Sequence, residues 1–435
     1  MVPEAAWNWH GPSVMTKNLL VIAYHYPPDP VSNPYPTSSW VKHLPDYGWT
    51  PLILTGGGET AISRGGPNIY RASHDQAFGR LVARRRKMAT SRLSFKLLNF
   101  ALINFLLYPD DKRGWFASGC RAGLAMAAQH PLSAILSVGT PWTDFWIAGA
   151  LARKLNIPWI ADYRDPWTQR TSAPYRWKWF IHDSISRIVE KRICGTCACC
   201  LHASEIWADQ LAALLGKKVF SLPNGYDADD FSPVAGVKPD SAHLSLAYVG
   251  TLHFPQRLDP FLEGFGRFVR SSDVSSQECR LNFIGTGEIA WVRKKYPLLA
   301  GYIHYLPYLS KADAIRHMAE SHILLLFLND DTGWYPTKAF EYLAAGNAIL
   351  ASPDNGGVIH EMLERTAAGT VAKGPEQIAQ WLGEKMAEFR QNGQLKTSFR
   401  RSRVEDYERS NMARRLASIL DDICPGSPLA AVGER

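Results

Sequence analysis

The run HILLLFL, His322 to Leu328, has the length and apolarity of a strand covered on both faces. That pattern belongs to parallel sheets flanked by helices, and it restricts the surrounding chain to alternating strands and helices. The stretch that follows, DTGWYPTKAFEYLAAGNAILAS (Asp331 to Ser352), reads as loop, helix and second buried strand. Pro336 and Thr337 open the helix, Phe340, Leu343 and Ala344 give it an apolar face, and Gly346 stops it. A helix starting just beyond a parallel strand directs free N–H groups and its positive dipole end into the crevice at the sheet's carboxyl edge. An anion such as a diphosphate would bind there. Lys338 lies in the first turn, where a cation is disfavoured by about 0.3–1 kcal/mol unless an anion meets it. Glu341 is on the same side, three residues on. A cation for phosphate and a carboxylate for sugar hydroxyls, one turn apart, suggest a nucleotide site. These residues alone leave a surface Lys–Glu pair as the alternative.

With 435 residues the chain is too long for one core and fits two domains of roughly 200 residues each. A content of 46% hydrophobic and 20% charged residues is that of a folded soluble protein. The net charge of +8 favours an anionic partner without choosing among nucleic acid, phosphorylated ligand and membrane surface. No apolar run reaches the roughly 18 residues of a spanning helix, and the N-terminus lacks the order of a signal peptide, so a cytoplasmic location is expected. Four of the seven cysteines crowd into ICGTCACCLHAS as Cys194, Cys197, Cys199 and Cys200. Apart from His202 no second ligand pair is near, so they read as small buried hydrophobes; neither zinc nor disulfides are expected.

Residues 1–15 read as a flexible leader. Leu19 to Tyr26 is the first buried strand and runs into the Pro-rich PPDPVSNPYP. A helix capped by Ser38 or Ser39 and a strand from Pro51 to Thr55 complete a parallel βαβ unit. From Gln76 to Pro109 the chain has seven basic residues, Arg84, Arg85, Arg86 and Lys87 among them, and no acidic one. The short apolar run KLLNFALINFLLY overlaps its end. Together they suggest a helix lying on an anionic membrane surface, each cation adding about 1 kcal/mol. YRWKWF, with Trp177 and Trp179, repeats the mixture. A solvated basic face is the alternative, and no recognised nucleic-acid module accompanies the charge.

Ala134 to Val138 is a further strand, and IPWIADYRDPW ends another in Arg164 and Asp165. Those two side chains either face the cleft at the sheet's carboxyl edge or form an ion pair that fixes the loop. Asn224-Gly225 marks the exit from the first half, and a polar linker (Ser232 to Ser241) precedes a fresh α/β alternation beginning LSLAYVGTL. Glycines follow its strands at Gly250 and at Gly285 and Gly287, where a ligand can approach the backbone.

The ordered set YHYPPDP, LPDYGW-PLILT, YPDDKRGW, SVGTPWTDFWIAG, IPWIADYRDPW, LPNGYD, YVGTL, IGTGE and PTKAFEYLAAG resembles bacterial glycosyltransferases of the retaining family 4 type. The resemblance covers about residues 18–372. It implies the α/β GT-B fold, two Rossmann-like domains facing each other across a cleft. The expected division is an N-terminal acceptor domain at 16–231, a C-terminal donor domain at 240–405, and a helix within 406–424 crossing back to the first.

The implied activity is transfer of a sugar from a nucleotide-sugar donor to a lipid-linked or polysaccharide acceptor, with no metal or other cofactor. Residue by residue, the resemblance implies that Glu341 binds the donor ribose, while Lys338, the amides around Thr337 and Arg257 meet the diphosphate. Gly250 with Thr251 would admit phosphate, Gly285 and Gly287 would lie by the base, and Arg164 and Asp165 would contact sugar or acceptor. Lys338 and Arg257 would stabilise the leaving group's charge in the reaction. Gly333 stands where many relatives carry a carboxylate that touches the donor sugar. A nucleotide-sugar 2-epimerase on the same fold and a non-catalytic nucleotide-binding scaffold are the alternative functions.

Overall fold

The computed structural model describes residues 17–29, 36–58, 63–66, 68–75, 78–80, 108–169, 180–252, 256–286 and 289–425. The expected leader, Arg84, Arg85, Arg86, Lys87, Trp177, Trp179 and Gly287 lie outside these residues.

The first half forms a sheet from β1 (Lys17–Ile22), β2 (Trp49–Gly58), β3 (Ser63–Gly66), β4 (Ile69–Ser73), β5 (Leu132–Gly139), β6 (Trp159–Tyr163), β7 (Cys199–His202) and β8 (Val219–Ser221). Its order is β3-β4-β2-β1-β5-β6-β7-β8, parallel except where β3 pairs with β4 at one edge. The second half forms a sheet from β9 (Leu244–Val249), β10 (Cys279–Ile284), β11 (Ile303–Leu306), β12 (Ile323–Phe327), β13 (Ala348–Ser352) and β14 (Gly369–Val371). Its order is β11-β10-β9-β12-β13-β14, with every pairing parallel.

Both faces of this second sheet are covered, which is why β12 and β13 read as continuous apolar runs. Leu325, Phe327 and Leu350 join one core with Phe261, Phe265 and Phe268 of the helix Asp259–Ser271. Leu324, Leu326, Ile349 and Ala351, alternating with them, join the other core with Phe340 and Leu343 of the helix Thr337–Ala345. Strand order reverses between β9 and β12, and a crevice opens at the carboxyl ends of such strands.

Two stretches cross between the halves side by side. Tyr226 N–H donates to Tyr407 O at 3.0 Å and Arg409 N–H to Tyr226 O at 2.8 Å. A side chain at Gly225 (φ +69°) would bring its Cβ to 2.5 Å from Tyr407 O, so glycine permits the approach. The final helix, Arg409–Ile423, lies on the N-terminal sheet, where Met412, Leu416 and Leu420 pack with Leu19, Val21 and Trp49. Asp421 there accepts from Lys17 Nζ and Trp49 Nε1, each at 2.9 Å.

One local expectation is corrected. The helix Thr37–His43 begins after Pro36 with no side-chain cap, and Ser39 is buried within it. Cys194, Cys197, Cys199 and Cys200 are buried in the N-terminal half, where Tyr163 Oη meets Cys194 Sγ at 2.9 Å. No group of metal-ligating side chains forms among the described residues, and no helix of theirs is long and apolar enough to cross a membrane.

Candidate active site

Lys338 lies in the first turn of the helix behind the crevice, and its stem reaches back to β9 rather than outward. Its Nζ lies 3.8 Å from the centroid of the Tyr248 ring and donates to the Tyr248 hydroxyl. That hydroxyl donates in turn to Thr251 O at 3.0 Å, with Gln256 Oε1 3.3 Å away. Burial pushes the Lys338 ammonium down to about pKa 7, against a smaller opposing pull from Glu341.

Glu341 is one turn further along the same helix, and among the described residues no hydrogen bond reaches its carboxylate. Burial raises its pKa, partly offset by Lys311, Arg409 and Lys338. The surface Lys–Glu pair therefore does not form: the cation turns to an aromatic ring, and the carboxylate keeps its acceptor positions open. Thr337 is the helix's first residue, following Pro336, so its amide and that of Lys338 have no partner within the helix.

Two glycines floor the crevice. Gly250 follows β9 with φ +111°, and a Cβ there would lie 3.2 Å from Lys338 Nζ. Gly285 follows β10 with φ +81°, where a Cβ would lie 3.6 Å from Gly250 Cα. Both backbones occupy a region that favours glycine, and together they leave bare main chain beside the Lys338 ammonium. Arg257 stands at the rim, half exposed, with Nη1 3.2 Å from Asp330 Oδ1. It lines a depression of about 760 Å³ that also includes Trp291, Asp354 and Lys373. Gln256 links this rim to the Tyr248 network, since its Nε2 donates to Phe327 O at 3.0 Å.

The structure places Arg164 differently from the cleft-facing expectation. Its side chain is fully buried. Its Nε donates to both Asp162 carboxylate oxygens at 2.9 Å, and Nη1 donates to Leu222 O at 3.0 Å. The guanidinium is thus consumed in tying β6 to the chain leaving β8, and it lies over the Trp40 ring. Asp162, inside β6, is the partner that sequence reading passed over. Asp165 lies in the turn beyond β6, half buried.

Other polar groups gather at the carboxyl edge of the N-terminal sheet. His25 Nδ1 and Asp29 Oδ2 are 2.6 Å apart just beyond β1, a pair whose i, i+4 spacing in YHYPPD was its only sequence signal. Asp110 of YPDDKRGW accepts from Thr143 N–H at 2.9 Å and Thr143 Oγ1 at 2.8 Å, holding the start of the helix Thr143–Leu155. Buried Glu190 accepts from Gln169 Nε2 at 2.7 Å and from Thr168, which shapes the loop after β6. Trp167 of that loop stacks on Trp142, ring centroids 4.8 Å apart.

Two Rossmann-like α/β units joined by a double crossing constitute the GT-B fold. No protein-family profile and no curated protein sequence matches the chain. Among solved structures it is similar to sucrose-phosphate synthase from Thermosynechococcus elongatus, with 14% identity and a TM-score of 0.57 over 94% of this chain and 100% of that one. HepE from Anabaena in complex with UDP matches at 11% identity and a TM-score of 0.56, over 94% and 100%. A protein named as a UDP-N-acetylglucosamine 2-epimerase from Listeria monocytogenes matches at 13% and 0.51, over 94% and 96%. At these identities the likeness is one of fold.

Proposed function

We propose that the protein is a glycosyltransferase that moves a sugar from a nucleotide-sugar donor to a lipid-linked or polysaccharide acceptor in cell-surface glycan biosynthesis. One observation carries this reading: a helix start that presents a half-buried lysine against two bare glycine turns, with an unengaged carboxylate one turn further on. A diphosphate fits the first part and ribose hydroxyls fit the second. The HepE complexes with UDP and with UDP-glucose support a donor of this class on this fold.

In the proposed reaction the sugar–phosphate bond breaks and negative charge grows on the leaving diphosphate. Lys338, Arg257 and the helix amides at Thr337 meet that charge in this reading. The leaving phosphate takes the acceptor's proton, configuration is retained, and metal is not needed. Asp165 and the His25–Asp29 pair, at the carboxyl edge of the N-terminal sheet, are the polar groups offered to sugar and acceptor. The acceptor class rests on the basic and apolar stretches with Arg84, Arg85, Arg86, Lys87, Trp177 and Trp179, which suit the inner face of an anionic membrane.

The test is a panel of sugar nucleotides with product analysis; transfer or hydrolysis of one of them supports the assignment, and inertness toward all of them argues for a nucleotide-binding scaffold. A product inverted at C2, free or still nucleotide-linked, with no transfer to an acceptor would instead favour the epimerase reading, which the Listeria neighbour supports. Binding to anionic vesicles that falls with salt, and falls further in R84A/R85A/R86A, tests the membrane contact.

A further inference from the structure

The loop that leads into the Lys338 helix is held by the other half of the molecule. Trp207 belongs to the helix Glu205–Leu215 after β7, and its Nε1 donates to Asp331 Oδ1 at 3.2 Å. The same carboxylate oxygen accepts from Gly333 N–H at 3.0 Å. Two residues back, at the start of that helix, Glu205 Oε2 accepts from Tyr335 Oη at 3.1 Å. Two cross-half hydrogen bonds therefore land within five residues of one loop.

Gly333 shows how closely the halves approach. Its backbone is not in the left-handed region, so no turn demands glycine. A Cβ at 333 would instead lie 2.3 Å from Trp207 Nε1, 2.5 Å from Cδ1 and 2.8 Å from Cε2. The indole occupies the place of a side chain at 333. It is nearly fully buried, and its ring is backed by His202 at 5.3 Å, itself stacked on Tyr163. The far side of the loop is anchored within its own half, where Val358 N–H donates to Thr332 O at 2.9 Å and Asn355 Nδ2 to Asn329 O at 3.0 Å. Tyr335 then packs on Phe340, inside the helix that carries Lys338 and Glu341.

We infer that Trp207 is a positioning residue of the donor site: the N-terminal half, through this indole and Glu205, sets the loop Asp331–Pro336 and with it the start of the Lys338 helix. The donor site is thus built by both halves, and Trp207 acts through the loop without touching the reacting atoms. This rests on the donor-site reading above.

The experiment uses the full chain and W207F, W207A, G333A and W207A/G333A. Hydrogen–deuterium exchange without ligand is expected to quicken at residues 331–340 in W207A and G333A while β9, β12 and β13 keep their protection. Affinity for the tightest-binding member of a UDP, GDP, ADP and dTDP panel is expected to fall between about 2-fold and 30-fold in either single variant. W207A removes the ring that a Cβ at 333 would strike, so the double variant is expected to lose less than the two single losses multiplied. Unchanged exchange at 331–340 in W207A, or losses that simply multiply, overturns the positioning role. Absence of any diphosphate binding in the parent chain overturns the donor-site reading instead, and the exchange result still decides whether Trp207 fixes the loop.

Discussion

The ammonium of Lys338 lies 3.8 Å from the centre of the Tyr248 ring and, among the described residues, makes no ion pair with Glu341, its neighbour one turn along the helix. An aromatic face and a phenol oxygen stabilise a cation less than a carboxylate does, and burial leaves this lysine titrating near pH 7. A diphosphate arriving beside it would restore the charged form. Binding should therefore take up protons near neutral pH, and diphosphate affinity should fall as pH rises from about 7 towards 9. Titration calorimetry in buffers of different ionisation enthalpy measures the uptake, and Lys338→Met should abolish it. The unfolded chain holds this proton up to about 10.5, so between 7 and 10.5 the unfolded state binds more protons. Over that window the lysine alone makes the free protein more stable as pH rises.

Glu341 is partly buried with no hydrogen bond to its carboxylate among the described residues, an arrangement that costs stability unless a ligand uses it. Glu341→Ala should leave the melting temperature of the free protein unchanged or raised. The same change should weaken nucleoside diphosphate binding by about 10-fold to 150-fold, the worth of roughly 1.5–3 kcal/mol for hydrogen bonds to a charged group. A melting temperature that drops with no loss of ligand-induced shift would make Glu341 a structural residue.

How far the sequence could be read depends on the range of the interactions involved. The parallel α/β class was legible because β12 and β13 are buried on both faces, so local composition records the whole environment. Lys338 and Glu341 were legible because helix periodicity fixes their relation. Arg164 was not, since a charged residue after a strand looks the same whether its partner is a ligand or Asp162. One residue separates the pair, Asp162 inside β6 and Arg164 just past its end, and nothing local shows that Leu222 O also accepts from the guanidinium. Gly333 was opaque for a related reason: its cause is Trp207, 126 positions away on a helix of the other half.

Arg164 and Asp162 form a fully buried bidentate pair, and removing one partner strands the other charge. Arg164→Met should destabilise the N-terminal half by about 3–5 kcal/mol in a denaturant titration. Replacing both residues by apolar ones should cost less than either single change. Ligand-induced protection of the fraction that remains folded should persist, because the pair faces the interior of the first sheet. Full stability in Arg164→Met with loss of transfer activity would return this arginine to the cleft.

Gly250 combines a backbone constraint with a ligand constraint, and the two can be separated. At φ +111° a side chain is strained by about 1–3 kcal/mol, and the Cβ of alanine would lie 3.2 Å from Lys338 Nζ. Gly250→Ala should therefore lower stability by about that amount and displace the lysine from Tyr248. Tyr248→Phe provides the control: it removes the hydroxyl that receives Lys338 but leaves the backbone of β9 and the glycine turn intact. If the bare turn serves to admit phosphate, Gly250→Ala should weaken diphosphate binding well beyond Tyr248→Phe, in a calorimetric titration below the melting temperature of each variant. Equal losses in the two variants would mean that the lysine's tether matters and the open main chain does not.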